Sequence, residues 1–331
     1  MQNSDDNSAP TLNFSIDAAA LKSAVGVFTQ APDLGGLALP GNCADPAYRA
    51  QICGAMLWTG FCAPSASTPV YDAIAASVLD LNYDPQSMDA PEAPLPDSFW
   101  GAFAEVLRGP EEGYDAGTIT AAVATLGGSV GENFASLAES AAIDHPGADH
   151  AEQKDIPALL SLDKLAACPE DSLAYSLYRM LVDNNFDPEV LDREAIGLSQ
   201  LSPALRYLNT RILQMHDIWH LLAGYETTAL HEIAISGFQL AQFGHNYSGM
   251  FLATVTTRSH LSGGEGFEIL MRVIMEAWHH GRITPPLMAI EFEDEWHESI
   301  NKLRQRHNIE AFQGSMPADL FEQLAAPAQI A

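Results

Sequence analysis

The chain has 331 residues, with 15 Lys and Arg against 43 Asp and Glu, so its formal net charge is −28 although only 18% of residues are charged and 47% are hydrophobic. That much negative charge, without a basic tract, repels a phosphate backbone at first approach and argues against a nucleic-acid partner. The apolar share and the length exclude a disordered or collagen-like chain and suffice for one or two domains with buried cores.

In chain order, the first residues, MQNSDDNSAP, carry two Asp and no Lys or Arg. They lack the basic start of a secretory signal and the Arg-rich pattern of a transit peptide, so the expected location is cytoplasmic, with peripheral contact to the inner membrane left open, in a bacterial protein. Residues 1 to 110 are rich in Ala, Pro, Ser and Asp. The proline-punctuated stretches Ala63 to Pro69 and Asp84 to Pro96 read as loops between short helices. Cys43, Cys53, Cys62 and Cys168 show no C-x-x-C spacing and are expected to be reduced thiols. The expected division is 1–110, a helical amino-terminal region without assigned role, and 111–331, a helical domain carrying the chemistry.

Two charge-free windows, Ala50 to Tyr71 and Ile233 to Thr257, fail as membrane spans. The first contains Pro64 and Pro69; the second contains Gln239, Gln242, His245 and Asn246, each costly in hydrocarbon. They are read as buried helices or walls lining a ligand. The polar segment Ile143 to Pro157 reads as a linker.

From Leu159 onward the pattern is helical. Asp171 or Ser172 can cap a helix through Val182, with Asn184, Asn185 and Pro188 marking a turn. Ser202 followed by Pro203 is a helix start. After it Leu205, Leu208, Ile212, Met215, Trp219 and Leu222 recur at three- and four-residue steps, the buried stripe of one amphipathic helix that ends at Gly224. Further helices are expected from Thr227 or Thr228 to Phe243, from Gly266 to His280 with Gly281 as the stop, and from Asp294 to His307. Strand signals are scarce, and the expected fold is all-α, a multi-helix bundle.

One cluster carries chemistry: His216-Asp217-Ile218-Trp219-His220, then eleven residues, then Glu232. Histidines four apart project from one helical face, as two ligands supplied by one helix must. At about 100° per residue they flank the apolar stripe, with Asp217 about 60° beyond His220. On a straight helix Glu232 would lie about 18 Å past His220, so a reversal is required. LAGYETT supplies one, with Gly224 closing the first helix and the threonine pair capping the next. Two imidazoles and one or two carboxylates then converge, a set suited to Zn²⁺ and also to Fe²⁺ or Mn²⁺. Against this, H-x-x-x-H arises by chance in a chain with 11 histidines, and a histidine beside an apolar stripe is often a hydrogen-bonded core residue. His231 is expected at the surface, and His279 and His280 in solvent.

The HDxxH motif, the eleven-residue spacing to Glu232 and the flanking GY-x-T-T text resemble the coenzyme Q (ubiquinone) biosynthesis family of Coq-four proteins. CPEDSLAYSLYRML upstream and AWHHGRITPPLMAIEFEDEWHESINKLRQRHNI downstream extend the resemblance over about Ile156 to Ile309. The family commonly has Gly where His231 precedes Glu232. The resemblance implies a helical protein that binds a polyprenylated aromatic intermediate, organises other quinone-biosynthesis enzymes, and takes part in replacing the ring C1 carboxylate by hydroxyl. It implies a metal held by His216, His220 and Glu232, with Asp217 as fourth ligand or as an orienting neighbour. Zinc is the first expectation, iron or manganese the others, and a homo-oligomer is the expected assembly. Met250, Phe251 and Leu252 are candidate contacts for the isoprenoid tail. The alternative is a non-catalytic lipid-binding scaffold with a structural metal. A metal-dependent hydrolase is a third reading, since H-D-x-x-H superficially resembles H-E-x-x-H sites.

Overall fold

In the computed structural model, residues 31–84, 88–110, 113–114, 116–186 and 198–325 are described. Among them every regular element is helical and no strand occurs, as the pattern of apolar residues predicts. Fourteen α-helices follow in order: α1 Leu34–Ala38, α2 Pro46–Phe61, α3 Ser67–Leu79, α4 Asp97–Arg108, α5 Ala116–Leu126, α6 Phe134–Ile143, α7 Leu162–Ala166, α8 Leu173–Asp183, α9 Pro203–Ala223, α10 Ala229–Phe243, α11 Asn246–Leu261, α12 Phe267–Ile283, α13 Ile300–His307 and α14 Leu320–Ala325. The chain divides into two compact units, Met1–Leu137 with Tyr247–Arg272, and Ala138–Asn246 with Val273–Ala331.

In the first unit, α2 begins where Asp45 accepts a hydrogen bond from the Ala47 amide at 2.9 Å and Pro46 takes the first helical position. Its residues from Ile52 to Phe61 are buried all round, which is why the window carries no charge. A side chain at Gly60 would come within 2.9 Å of the Gly249 carbonyl, so α2 and α11 meet backbone to backbone. Phe61, Phe99 and Phe103 form an aromatic knot, with ring centroids 5.0 to 5.8 Å apart.

The second unit is built on α9. All six residues of its predicted stripe are buried, against a core that includes Leu177, Leu181, Phe238, Leu287 and Leu303. The start is Ser202, whose side chain accepts from the Leu205 amide, and the end is Gly224 at φ +81°. Arg304 of α13 donates to the Leu221 and Leu222 carbonyls at 2.8 Å each, satisfying acceptors the last turn leaves open. Helix α10 starts at the Thr228 cap and stops at Gly244, so the charge-free window from Ile233 is two helices with a break between them. No helix among the described residues is long and apolar enough to cross a membrane.

Three local expectations are corrected. Gly281 does not stop α12, which continues to Ile283. A Cβ there would lie 2.7 Å from the Ala241 Cβ and 2.8 Å from the Phe238 carbonyl, so this glycine permits close approach to α10 instead of ending a helix. The last predicted helix starts at Ile300, not Asp294, because Ser299 provides the cap and residues 292–294 form a short 3-10 turn. The supposed linker from Ile143 to Pro157 holds Ala148 and Ala151 completely buried, and a 3-10 turn at Ala151–Gln153. Asn184 and Asn185 lie in a turn as expected, whereas Pro188 falls outside the described residues.

The glycine packing makes a direct prediction. Gly281→Ala should lower unfolding stability by about 1–3 kcal/mol through overpacking. Gly101→Ala, in α4 with nothing within 4 Å of the new methyl, should raise it by about 0.5–1 kcal/mol. Paired thermal and denaturant melts of the two variants check both signs.

Candidate metal centre

Helix α9 delivers His216 and His220 one turn apart, and the reversal at Gly224 returns the chain so that Glu232 stands in the first turn of α10. The imidazole Nε2 atoms are 3.0 Å apart. Glu232 Oε2 lies 3.3 Å from His216 Nε2, and its Oε1 lies 3.3 Å from His220 Nε2. These three residues form the one group of histidine, cysteine and acidic side chains among the described residues whose donor atoms converge closely enough for an ion. Ligands about 2.0–2.2 Å from a tetrahedral ion stand about 3.3 Å from one another. The two imidazoles face different oxygens of Glu232, and one donor atom from each of the three residues lies within 4.8 Å of the others, so the residues fit a small divalent cation that draws them together.

Each imidazole is held from behind. His220, almost fully buried, has Nδ1 3.1 Å from the Tyr225 carbonyl. A carbonyl only accepts, so Nδ1 carries a proton and the Nε2 edge of the ring faces Glu232. Tyr225 is itself fixed: its hydroxyl is 2.9 Å from His280 Nδ1, and its ring stacks on Phe312 at 4.6 Å. His280 Nε2 donates to the Glu310 carbonyl at 3.0 Å, which leaves its Nδ1 to accept from Tyr225. Gln239, buried two turns along α10, sets its amide 2.7 Å from His216 Nδ1. The amide nitrogen faces the ring, so Nδ1 accepts and the proton sits on Nε2, toward Glu232. A half-turn of that amide would present the oxygen to an Nδ1 proton and free Nε2 for an ion.

The pair of charges is mutually reinforcing. Burial, the largest influence on Glu232, favours the neutral acid, but hydrogen bonds and charge from both histidines outweigh it and hold the carboxyl well below its usual range. Burial likewise opposes a charged His216, yet Glu232, with Asp217 adding its field, lifts that imidazole above its ordinary value. His245 goes the other way, pushed down to about 3 by burial and then by the His216 charge, and stays neutral.

Of the residues singled out in sequence, the structure brings His216, His220 and Glu232 together. Asp217 is half-buried beside them and outside the converging group. His231 is buried, not at the surface: its Nδ1 accepts from the Glu226 amide at 2.9 Å and its ring edges Tyr225 and Phe312. His280 is buried for the reason just given, while His279 is exposed. Met250, Phe251 and Leu252 lie buried on α11, in the first unit. The supporting residues Gln239, Tyr225 and His280 escaped the sequence reading. A Gly-Tyr pair after the motif was visible; no spacing announces Gln239.

The family model described as "Coenzyme Q (ubiquinone) biosynthesis protein Coq4" matches residues 121–313. The chain belongs to the Coq4 family. A human mitochondrial ubiquinone biosynthesis protein COQ4 homolog is 29% identical over 155 residues, which is 46% of this chain and 56% of that protein. The Drosophila pseudoobscura pseudoobscura homolog is 26% identical over 152 residues, 45% of this chain and 54% of that protein. The match therefore spans about half the length of these curated relatives. A crystal structure from Nostoc punctiforme named for ubiquinone biosynthesis aligns with a TM-score of 0.49 and 24% identity, over 65% of this chain and 98% of that one. The expected localisation is corrected here. The curated relatives are named as mitochondrial proteins of animals, which points against the cytoplasm, and an acidic stretch of sequence carries no counter-evidence.

The charge pair gives the ion-free protein a signed pH dependence. His216 is raised, so its contribution is complete below the ordinary imidazole value of 6.5 and is lost as pH climbs through the folded value. Glu232 is depressed, so its contribution is present above the ordinary glutamate value of 4.5 and is lost as pH falls through the folded value. The metal-free protein should therefore gain most from this pair between those two values, and Glu232→Gln should flatten that part of the stability profile. Divalent cation uptake should instead strengthen above it, as His216 gives up its proton. Denaturant melts across pH, with and without chelator, measure both trends.

Proposed function

We propose that this Coq4 family member acts in ubiquinone biosynthesis by binding a polyprenylated aromatic intermediate and taking part in exchange of its ring C1 carboxylate for hydroxyl. The observation that carries the reading is the convergence of one donor atom from each of His216, His220 and Glu232 to within 4.8 Å, inside the stretch that matches the family model. Three protein donors leave coordination positions for substrate, which favours a catalytic set over a closed structural one.

His216 and His220 would hold the ion through Nε2 and Glu232 through its carboxylate, with Asp217 beside them as a fourth donor or an orienting neighbour. Zinc is the first candidate, iron and manganese the others. A bound divalent cation supplies Lewis acidity that offsets the negative charge of a substrate carboxylate or phenolate. The remaining work belongs to the chain. Two neutral imidazoles and one carboxylate contribute a single negative charge, so an ion held there keeps net positive charge for an anionic ring. Tyr225 and Gln239 fix both imidazoles in orientation, so little reordering is needed when substrate arrives. Glu232, with an oxygen 3.3 Å from each imidazole Nε2, supplies that one negative charge.

For the prenyl tail, the reading retains Met250, Phe251 and Leu252, which are packed in the first unit and would contact a tail only by admitting it into that packing. The other quinone-biosynthesis enzymes are its proposed partners, and a homo-oligomer its proposed assembly.

Purified protein should contain close to one equivalent of divalent metal by elemental analysis and should release CO2 from a polyprenylated 4-hydroxybenzoate-type substrate. His220→Ala should lose at least about a hundredfold in both metal affinity and turnover. Equal turnover by the variant would remove the metal from the reaction. Metal retained without any CO2 release by wild-type protein would leave the scaffold reading in its place.

A further inference from the structure

The peptide that joins Tyr225 to Glu226 lies between two imidazoles. Its carbonyl is 3.1 Å from His220 Nδ1 on one side, and its amide donates to His231 Nδ1 at 2.9 Å on the other. The carbonyl only accepts, so His220 presents a protonated Nδ1; the amide only donates, so His231 presents an unprotonated one. Both hydrogen bonds therefore run in one direction, from His220 through the peptide to His231, and bonds in such a row polarise and strengthen one another. A peptide is planar, so turning its amide away from His231 also turns its carbonyl away from His220. Residues 225–228 belong to no helix, and no helical ladder holds this plane in place.

His231 is itself held where that role needs it. It stands at the third position of α10, and its own amide donates to the Thr228 cap hydroxyl at 3.4 Å. From that position a side chain can reach back over the helix start, as the glutamate of a capping box does. Here the acceptor is an imidazole, and the amide it meets lies two residues before the cap. The ring is 7% exposed and meets Tyr225 and Phe312 edge-on, with centroids 5.9 and 5.5 Å apart, so it cannot swing to another partner without leaving that packing.

We infer that His231 is a positioning residue for the metal centre: it fixes the Tyr225–Glu226 peptide and, through that peptide, the ring of His220. It lies outside the converging donor group, and its Nδ1 is committed to the peptide. The effect on cation affinity rests on the metal reading proposed above; the effect on the His220 ring does not.

Asparagine and leucine have nearly the same shape, and only asparagine carries an acceptor where His231 Nδ1 stands. The test compares full-length, metal-free protein with isotope-labelled histidine as wild type, His231→Asn and His231→Leu, using nuclear magnetic resonance. His220→Gln locates the His220 Nδ1 proton by its disappearance. His231→Leu should speed exchange of that proton with solvent about tenfold, and His231→Asn should stay within about twofold of wild type. A purely structural role would lower the stability of both variants without separating them in exchange. His231→Ala, which also lacks the acceptor, takes the place of the leucine variant if that one does not fold. Zinc titration against a competing chelator should give the same order, with affinity about tenfold lower for His231→Leu and close to wild type for His231→Asn. Unchanged exchange in the acceptor-free variant, or equal acceleration in both variants, overturns the inference. Wild-type protein that takes up no zinc overturns the metal reading instead, and the exchange comparison still decides whether His231 positions His220.

Discussion

The reversal between α9 and α10 governs the rest of the site. Histidines four residues apart share a helical face whatever surrounds them, but the carboxylate twelve residues later reaches them only if the chain turns back within a few residues. Gly224 makes this possible at φ +81°, a conformation that strains any residue with a side chain, and a Cβ there would also press on Ala311 at 2.8 Å. Thr228 then accepts from the His231 amide and donates through the same hydroxyl to the Ala318 carbonyl at 2.7 Å, so the new helix is started and anchored together. The turn is also part of the site, because the Tyr225 carbonyl that follows Gly224 is the group that orients His220.

The site's second dependence is on desolvation balanced by hydrogen bonding. His220 and Gln239 are buried, and an unpaired polar group there would be costly. Each imidazole meets that requirement at Nδ1, with a backbone carbonyl in one case and a side-chain amide in the other, leaving both Nε2 atoms directed at Glu232. The Tyr225 hydroxyl, His280 and the Glu310 carbonyl extend the support outward to α12 and to the segment after α13. One enclosed ring, one partly open ring and a partly open carboxylate thus meet without leaving a buried imidazole nitrogen unpaired.

What was legible in sequence follows from the range of each interaction. Ser202, Ser172, Thr228 and Gly224 act on amides and carbonyls a few residues away, so their meaning survives without tertiary information, and the ends of α8, α9 and α10 fall where those residues predict. Gly281 reads the same whether it ends a helix or admits a neighbouring one, and only the presence of α10 against it decides. His231 and His280 look like surface residues because histidine is amphipathic; their burial depends on Phe312, which arrives from a distant position for His231, and on Tyr225, which does so for His280. The convergence of His216, His220 and Glu232 was readable since its spacing is itself the geometry once a reversal is granted. Gln239 was not, since an amide's partner lies wherever the fold brings it.

Close helix packing connects the core to the chemistry. Glu232 and Gln239 are seven residues apart, so at about 100° per residue they stand only about 20° apart on one face of α10. Whether that face meets His216 depends on the rotation and height of α10 in the bundle. Gly237 approaches the Ile274 carbonyl, and Gly281 approaches Ala241 and the Phe238 carbonyl, at distances that a side chain on either glycine could not keep. Gln242 completes the lock, donating to the Gly281 and Thr284 carbonyls at 2.7 and 2.8 Å while accepting from the Leu287 amide at 3.0 Å. These contacts leave α10 little freedom to rotate or slide against α12. A shift of one ångström there would part Glu232 from the two imidazoles, so the geometry of this cluster is set as much by two glycines and a glutamine behind the helix as by the three side chains in front of it.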